Sequence, residues 1–427
     1  MIAPGLIFVA MALVLLLLAW PLKWPFPAAL LGAAVVAGLL GGFGLPLRHL
    51  VEGGFGYLNL LLALFAGALF GQAMLVSGIA DAFGRRACRL LGGNPWAVLG
   101  FAGLLLFLGG MFVGIAGVAV LAAGALVVPM LRATGLQGTH IAAFIAVLAT
   151  CGMIAPPLNV PAMTIADGVN MPYIGFALPL LALSIPPALF TVALFAMRAQ
   201  GGAVGEPLPD EGRLAAAGLF VLVVVLGFWT LLRVFPGAIP DPAVPIVLVV
   251  GALLALPWLG GRGLAEAMRQ SFTGTPLLLA AILVAVGVLV QIATLTGVRG
   301  FLVINSMSLP APWTYLGMVM IPIFGSVLTS MGAANVLGVP FAFALIHQDM
   351  ILNVSGLSAI SALSEFMPPT AIAAALATYV VGDVRMGAVI RASLWPAAVI
   401  ALFGLLMLIF AGDLTGLLIS TVPQSAG

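Results

Sequence analysis

Few side chains in this sequence can do chemistry, and several of those that can sit inside hydrophobic runs. Glu365 lies three residues ahead of Pro368-Pro369 in the stretch SEFMPPTAIAAAL, 364 to 376. A carboxylate at an interrupted helix can bind a cation or carry a proton, and an ionisable group within a membrane span is a functional hypothesis by default. The plainer alternative is an internal ion pair or a carboxyl that only faces a cavity. Asp167 is expected near the outer surface, and His140 and His347 at a membrane boundary in solvated or capping roles. A second double proline, Pro156-Pro157, stands in CGMIAPPLNVPAM, 151 to 163, so the interruption is a repeated device.

Proline lacks a backbone donor, blocks the carbonyl one turn earlier and pushes the preceding residue out of the α region, so a double proline ends a helix firmly. In hydrocarbon each freed backbone group costs several kcal/mol, and such breaks persist where protein buries them or where they line a wet cavity. The freed groups then serve as ligands: carbonyls for a cation, half-helix N-termini for an anion. A plain kink is the alternative for either break taken singly. At the first break the candidates are Ala155, Pro156 and Asn159, and at the second Glu365, Met367 and Pro368.

Each break follows an apolar stretch, 95 to 133 and 312 to 346, interrupted at its middle by glycine and, in the second, polar residues. These stretches are expected to be re-entrant hairpins. The second tip, FGSVLTSMGAANVLGVP, offers Ser326, Thr329, Ser330 and Asn335, with Gly325 and Gly332 allowing close backbone approach. The first, MFVGIAGVAVLAAG, has no polar side chain, so only backbone around Gly114, Ala116 and Gly117 can ligate. Small residues that merely let helices pack closely are the alternative here. No arginine falls in either tip, so an anion is expected to rest on backbone amides, half-helix dipoles and the side chains of Thr329, Ser330 and Asn335.

The elements that must position these residues follow from composition. At 63% hydrophobic and 6% charged, with a mean hydropathy of +1.30, the 427 residues lack the charged surface of a soluble domain. The fold class expected is an all-α polytopic membrane protein. Ten crossings are read at 3 to 21, 26 to 45, 56 to 80, 138 to 168, 173 to 197, 214 to 234, 243 to 259, 274 to 296, 355 to 380 and 389 to 411. The first has no basic leader region and is expected to be a retained helix. With the N-terminus outside, Lys23 and Arg85, Arg86, Arg89, Arg132, Arg198, Arg213, Arg262, Arg269, Arg385 and Arg391 fall inside, and Arg48, Arg233 and Arg299 outside. That bias is the one expected of cytoplasmic loops, and reading either hairpin as a single crossing would largely erase it. Cys88 and Cys151 are isolated, with no metal-ligand spacing, and a disulfide is not expected. No basic cluster with interleaved aromatics suggests nucleic acid.

The sequence also repeats. FGQAMLVSGIADAF (70 to 83) returns as LVQIATLTGVRGFL (289 to 302), Pro95-Trp96 as Pro312-Trp313, and Pro156-Pro157 as Pro368-Pro369. The units run over 56 to 197 and 274 to 411, with scaffold helices in 1 to 55, a linker and scaffold helices in 198 to 273, and a tail from 412 to 427. In the expected topology the units are inverted, which places a site near the bilayer midplane and suits a transporter that exposes it alternately to each side. An intramembrane enzyme would need a clustered acid, base or metal set, and no such histidine-carboxylate spacing occurs, so the chain is read as a non-enzyme. A channel fits paired interrupted helices less well.

Several ordered motifs bring a family into view. LALFAGALFGQAMLVSGIADAFGRRACRLLGGNPWAVLGF, GGMFVGIAGVAVLAAGALVVPMLRATG, IAPPLNVPAMTIADGVNMPYIGFALPLL, MGAANVLGVPFAFAL and SEFMPPTAIAAALATYVVGD resemble segments of the large membrane subunit of tripartite ATP-independent periplasmic (TRAP) transporters, over about 56 to 411. The resemblance implies an elevator-type secondary transporter in a bacterial inner membrane, where the orientation read from the arginine bias makes the termini periplasmic. It implies Na+ coupling, no prosthetic group, and an organic-acid cargo delivered by a periplasmic binding protein, with a small four-helix membrane subunit as a further partner. By position, the family's site falls at Gly114 to Ala119 with Ala155 and Pro156, and at Thr329 to Asn335 with Met367 and Pro368. Two departures stand out. The first tip lacks the family's usual serines and its asparagine or aspartate, and Glu365 stands where small residues are usual, which points to H+ coupling or a rearranged cation site. A self-sufficient carboxylate carrier of the same superfamily is the rival expectation.

Overall fold

Backbone polar groups in hydrocarbon must be satisfied within the chain, which leaves helices or closed barrels. The computed structural model describes residues 2–201, 210–234 and 242–419, and these contain helices and no strand. The first half comprises α1 (Pro4–Ala19), α2 (Phe26–Leu40), α3 (Leu47–Phe55), α4 (Leu58–Val76), α5 (Ile79–Leu90), α6 (Pro95–Val113), α7 (Ala116–Arg132), α8 (Gly138–Ile154), α9 (Val160–Gly168) and α10 (Ala177–Ala196). The second comprises α11 (Glu211–Val234), α12 (Ala243–Leu254), α13 (Leu256–Ser271), α14 (Thr275–Leu295), α15 (Val298–Met307), α16 (Ala311–Ala333), α17 (Val339–Ala344), α18 (Met350–Ala362), α19 (Ile372–Val381) and α20 (Met386–Ile409), followed by α21 (Ala411–Leu418).

Among the described residues seven helices are long and apolar enough to cross a membrane, eight if the pair α12 and α13, bent by 109°, counts as one. The described residues are thus all-helical, with the apolar helices of a multi-pass membrane protein. Of the ten crossings expected, 3 to 21 and 26 to 45 hold helices of 16 and 15 residues, and 138 to 168 and 355 to 380 are each split by their double proline. The amphipathic α5, with Asp81 in its first turn and Arg89 in its last, goes unannounced by hydropathy because its charged residues offset its buried apolar ones, among them Ile79, Ala80 and Phe83.

Both apolar stretches ahead of the breaks fold back on themselves. In the first, α6 ends at Gly114 in the left-handed region (φ 72°) and α7 begins at Ala116. The second contains a 33-residue helical run, Pro312–Ala344, which is bent: Thr329 sits at φ 66°, ψ 170° inside it. A Cβ on Gly325 would lie 2.8 Å from that of Ala333, and one on Gly317 would lie 2.5 Å from the Phe341 ring. Residues equally far from Thr329 therefore lie side by side, so α16 up to that point and the segment leading into α17 are the arms of a second hairpin.

The correspondence between halves reaches further than the units at 56 and 274. Among the described residues α1 to α10 and α11 to α20 follow one another in the same order, and their contacts exchange partners. α2 and α3 pack on α14, as α12 and α13 pack on α4; α1 packs on α15, as α11 packs on α5; α8 packs on α19, as α18 packs on α9. Gly78 and Gly297, which follow α4 and α14, turn the chain at nearly the same angles, φ 75° and 76°. Arg85 and Arg89 of α5 pair with the buried Glu211 that opens α11, tying the start of the second half to the first.

Candidate functional site

The second break is built around Glu365. After α18 one turn of tighter helix, Leu363–Phe366, carries the chain to Met367, which is extended, and the chain then passes through Pro368-Pro369 into α19. Glu365 is 4% exposed. Its Oε1 accepts a hydrogen bond from Ser330 Oγ at 2.5 Å, and its Oε2 accepts one from the backbone N–H of Ala373 at 3.0 Å. The carboxylate thus bridges the tip of the second hairpin and the first turn of α19, where free N–H groups and the helix dipole favour negative charge. Beside it, Thr370 clips the hairpin's first arm: its N–H and its hydroxyl both donate to the carbonyl of Ser326, at 3.2 and 2.7 Å.

The first break is built differently. Met153 occupies the place of Glu365, three residues ahead of Pro156, and its sulfur accepts the N–H of Ala116 at 3.3 Å, at the start of α7. Asn159 is fully buried and caps α9 by accepting from Ala162 N–H at 2.9 Å, while its amide donates to the carbonyl of Ile154 at 2.9 Å and to Ser358 Oγ at 3.0 Å. Gly114 presses on the loop, where a Cβ would come within 2.6 Å of the Leu158 carbonyl oxygen. Both Pro156-Pro157 and Pro368-Pro369 are cis.

One cavity draws on both hairpins. Ile115 and Gly117 from the first tip, Met153, then Thr329, Ser330 and Met331 from the second tip, and Glu365 and Ile372 line it, closed by Leu60 and Leu64 of α4 and Leu283 of α14. The space within it open to a water-sized sphere is about 20 Å³, room for a single water. Glu365 is the ionisable group of that lining. The hydroxyls of Thr329, Ser361 and Ser364 are buried near the break and have no hydrogen-bond partner among the described residues, a cost of about 1–3 kcal/mol for each group left so. A larger cavity, about 500 Å³ between α5, α6 and α11, holds none of these groups.

The expected site residues therefore separate. Gly117, Thr329, Ser330 and Glu365 meet at the cavity, and Gly114 and Ala116 shape the tip beside it. Ser326 serves as the acceptor for Thr370, and Gly332 packs against Leu328 and Val286. Ala155 is buried as the end of α8, Pro156 and Met367 are half-buried, and Pro368 is exposed. Asn159, expected as a ligand, spends its donors and its acceptor inside the fold. Asn335 lies beyond the cavity, its carbonyl accepting from Arg299 Nη2 at 3.4 Å. Asp167 is exposed, and Cys88 and Cys151 are free and buried.

A hard cation seeks oxygen. The second tip supplies it from Thr329, Ser330 and Glu365, whereas the first offers backbone and the soft sulfur of Met153, which suits such an ion poorly. Among the described residues no group of three or more His, Cys, Asp or Glu could hold a transition metal. No family model and no curated protein sequence matches the chain.

Proposed function

We propose that the chain is the large membrane subunit of a secondary active transporter of the TRAP type, carrying a small organic acid by an elevator movement driven by a cation gradient. The observation that carries this reading is the meeting of both hairpin tips and the second helix break at one small buried cavity with a carboxylate in its wall. The two folded-back stretches are then re-entrant hairpins, and the exchange of partners between halves is that of inverted repeats. With about 20 Å³ the cavity is too small for an organic acid, so the tips must part to admit one. Glu365 and the second-tip hydroxyls are the coupling-ion site, taking H+ on the carboxylate or Na+ among the oxygens.

Uptake of labelled organic acids into proteoliposomes tests this, with and without a co-expressed small membrane subunit and binding protein, under separate Na+ and proton gradients. Uptake that needs the partners supports the tripartite reading. Uptake by the chain alone supports a self-sufficient carrier, and none under any gradient removes both. Under H+ coupling Glu365→Gln abolishes the pH dependence of uptake; an unchanged pH dependence removes the proton version and leaves Na+.

A further inference from the structure

Sequence order puts no cation in either hairpin tip, yet the fold brings Arg299 of α15 against the second hairpin. Its Nη2 donates to the carbonyl of Asn335 at 3.4 Å and its Nη1 to Thr294 Oγ1 at 3.3 Å. Both bonds are long, both acceptors are neutral, and among the described residues no carboxylate forms a salt bridge with it. A half-buried guanidinium without a counter-ion is poorly compensated. Beside Gly332, three residues before Asn335 on the same segment, the hydroxyl of Tyr57 is shut from solvent and has no hydrogen-bond partner among the described residues.

Two walls connect this pair to the cavity. Tyr57, Leu60 and Leu64 fall on one face of α4 and its cap by their spacing, and the two leucines line the cavity. Along the second hairpin, Ser330 and Met331 line the cavity, a Cβ on Gly332 would lie 3.8 Å from the Tyr57 hydroxyl, and Asn335 meets Arg299. Both walls run the same course, from Glu365 past Tyr57 to Arg299. Glu52, which accepts from Gln291 of α14 at 3.4 Å, is already paired with Arg48.

We propose that Arg299 and Tyr57 form a carboxylate-receiving pair at the outer end of this line, the guanidinium taking the two oxygens of an organic acid and the phenol donating to one of them. The proposal rests on the organic-acid reading above. It places recognition of the anion at a side chain far in sequence from both tips, on the face that the arginine bias assigns to the outside.

Phenylglyoxal, which adds to arginine side chains, tests it on the full chain in nanodiscs. The adduct on Arg299 is counted by mass spectrometry with succinate, gluconate or lactate present, and with their primary amides at equal ionic strength. At least one acid is expected to suppress labelling of Arg299 severalfold while its amide does not, with Arg262 and Arg391 unaffected. Tyr57→Phe should raise the half-protecting concentration by about tenfold, the loss of one hydrogen bond to a charged group. Labelling of Arg299 indifferent to all three acids, equal protection by the amides, or an Arg299 that never reacts each overturns the proposal. Protection without uptake in proteoliposomes leaves the pair standing and removes the transport reading; uptake without protection does the reverse.

Discussion

At the two breaks one backbone plan is furnished with opposite chemistry. Three residues ahead of its double proline each half sends a side chain to its own hairpin: Met153 to Ala116 in the first, Glu365 to Ser330 in the second. The helices leading in differ in the same sense. Ser355, Ser358, Ser361 and Ser364 of the second half correspond to Ala143, Ala146, Ala149 and Gly152 in the first. All four serines are buried, and two of them, Ser361 and Ser364, have unpartnered hydroxyls among the described residues. The difference teaches that the shape of the site belongs to both halves, while its polar chemistry belongs to the second.

The largest expected effect comes from making the halves alike at Glu365. Glu365→Met copies the first half, and uptake should fall by more than tenfold, judged by the worth of hydrogen bonds to a charged group, about 1.5–3 kcal/mol. Ser330 and the Ala373 N–H then lose their acceptor, at about 1–3 kcal/mol for each donor left unsatisfied, so thermal stability should fall, and Glu365→Gln, which keeps an acceptor oxygen, should lose less. Uptake that falls no further than the folded fraction would mean that the carboxylate is structural and that the comparison fails.

The next effect separates the hairpin contacts. A Cβ on Gly110 would meet the backbone of Ala149 and Met153 at 2.4 and 2.7 Å, whereas one on Gly325 would meet the Ser364 hydroxyl at 2.0 Å and the Ala333 Cβ at 2.8 Å. Overpacking costs about 1–3 kcal/mol. Gly110→Ala is expected at or above the upper end, because backbone has no room to yield, and Gly325→Ala below it. Ser364→Gly should rescue the second in part, and Gly110→Ala has no equivalent rescue. Equal penalties in thermal unfolding would remove the distinction.

Smaller effects test the caps. Asn159→Ala should destabilise by about 2 kcal/mol, a helix cap together with the Ile154 carbonyl it satisfies, and leave uptake by the surviving protein unchanged. A variant with normal stability and lost uptake would restore Asn159 as a ligand. Thr370→Val should cost about 1 kcal/mol, one net hydrogen bond. The corresponding residue of the first half is Leu158, whose carbonyl oxygen and Cβ both lie against the hairpin at Gly114 but whose side chain has no hydrogen bond to lose, so Leu158→Val is expected to be milder.

The sequence makes the two breaks legible because two adjacent prolines act on the backbone whatever surrounds them, and the repeat is legible because its landmarks keep their order. Ser330 and Glu365 stand out as polar residues in apolar runs, though not as partners of one another. Other features depend on long-range folding. Nothing local marks Thr329, a β-branched residue, for the left-handed turn at the second tip. Asn159 looks like a ligand until the ends of α8 and α9 and the hydroxyl of Ser358 are placed around it. Arg299 and Tyr57 lie far apart in sequence, and the fold brings each against the second hairpin, at Asn335 and at Gly332. The first three helices of each half share too little sequence to match, and their kinship shows in what they pack against.

The exchange of partners also has a history in time. While the ribosome is still on the first half, α4 lies in the bilayer without α12 and α13, and α5 without α11, since all three are made later. The first half must therefore wait, its small-residue faces open to lipid or to an insertase, until roughly two thirds of the chain has been synthesised. Assembly is then late and joint, so a lesion near α12 should betray itself first as premature degradation of a chain whose opening helices are intact.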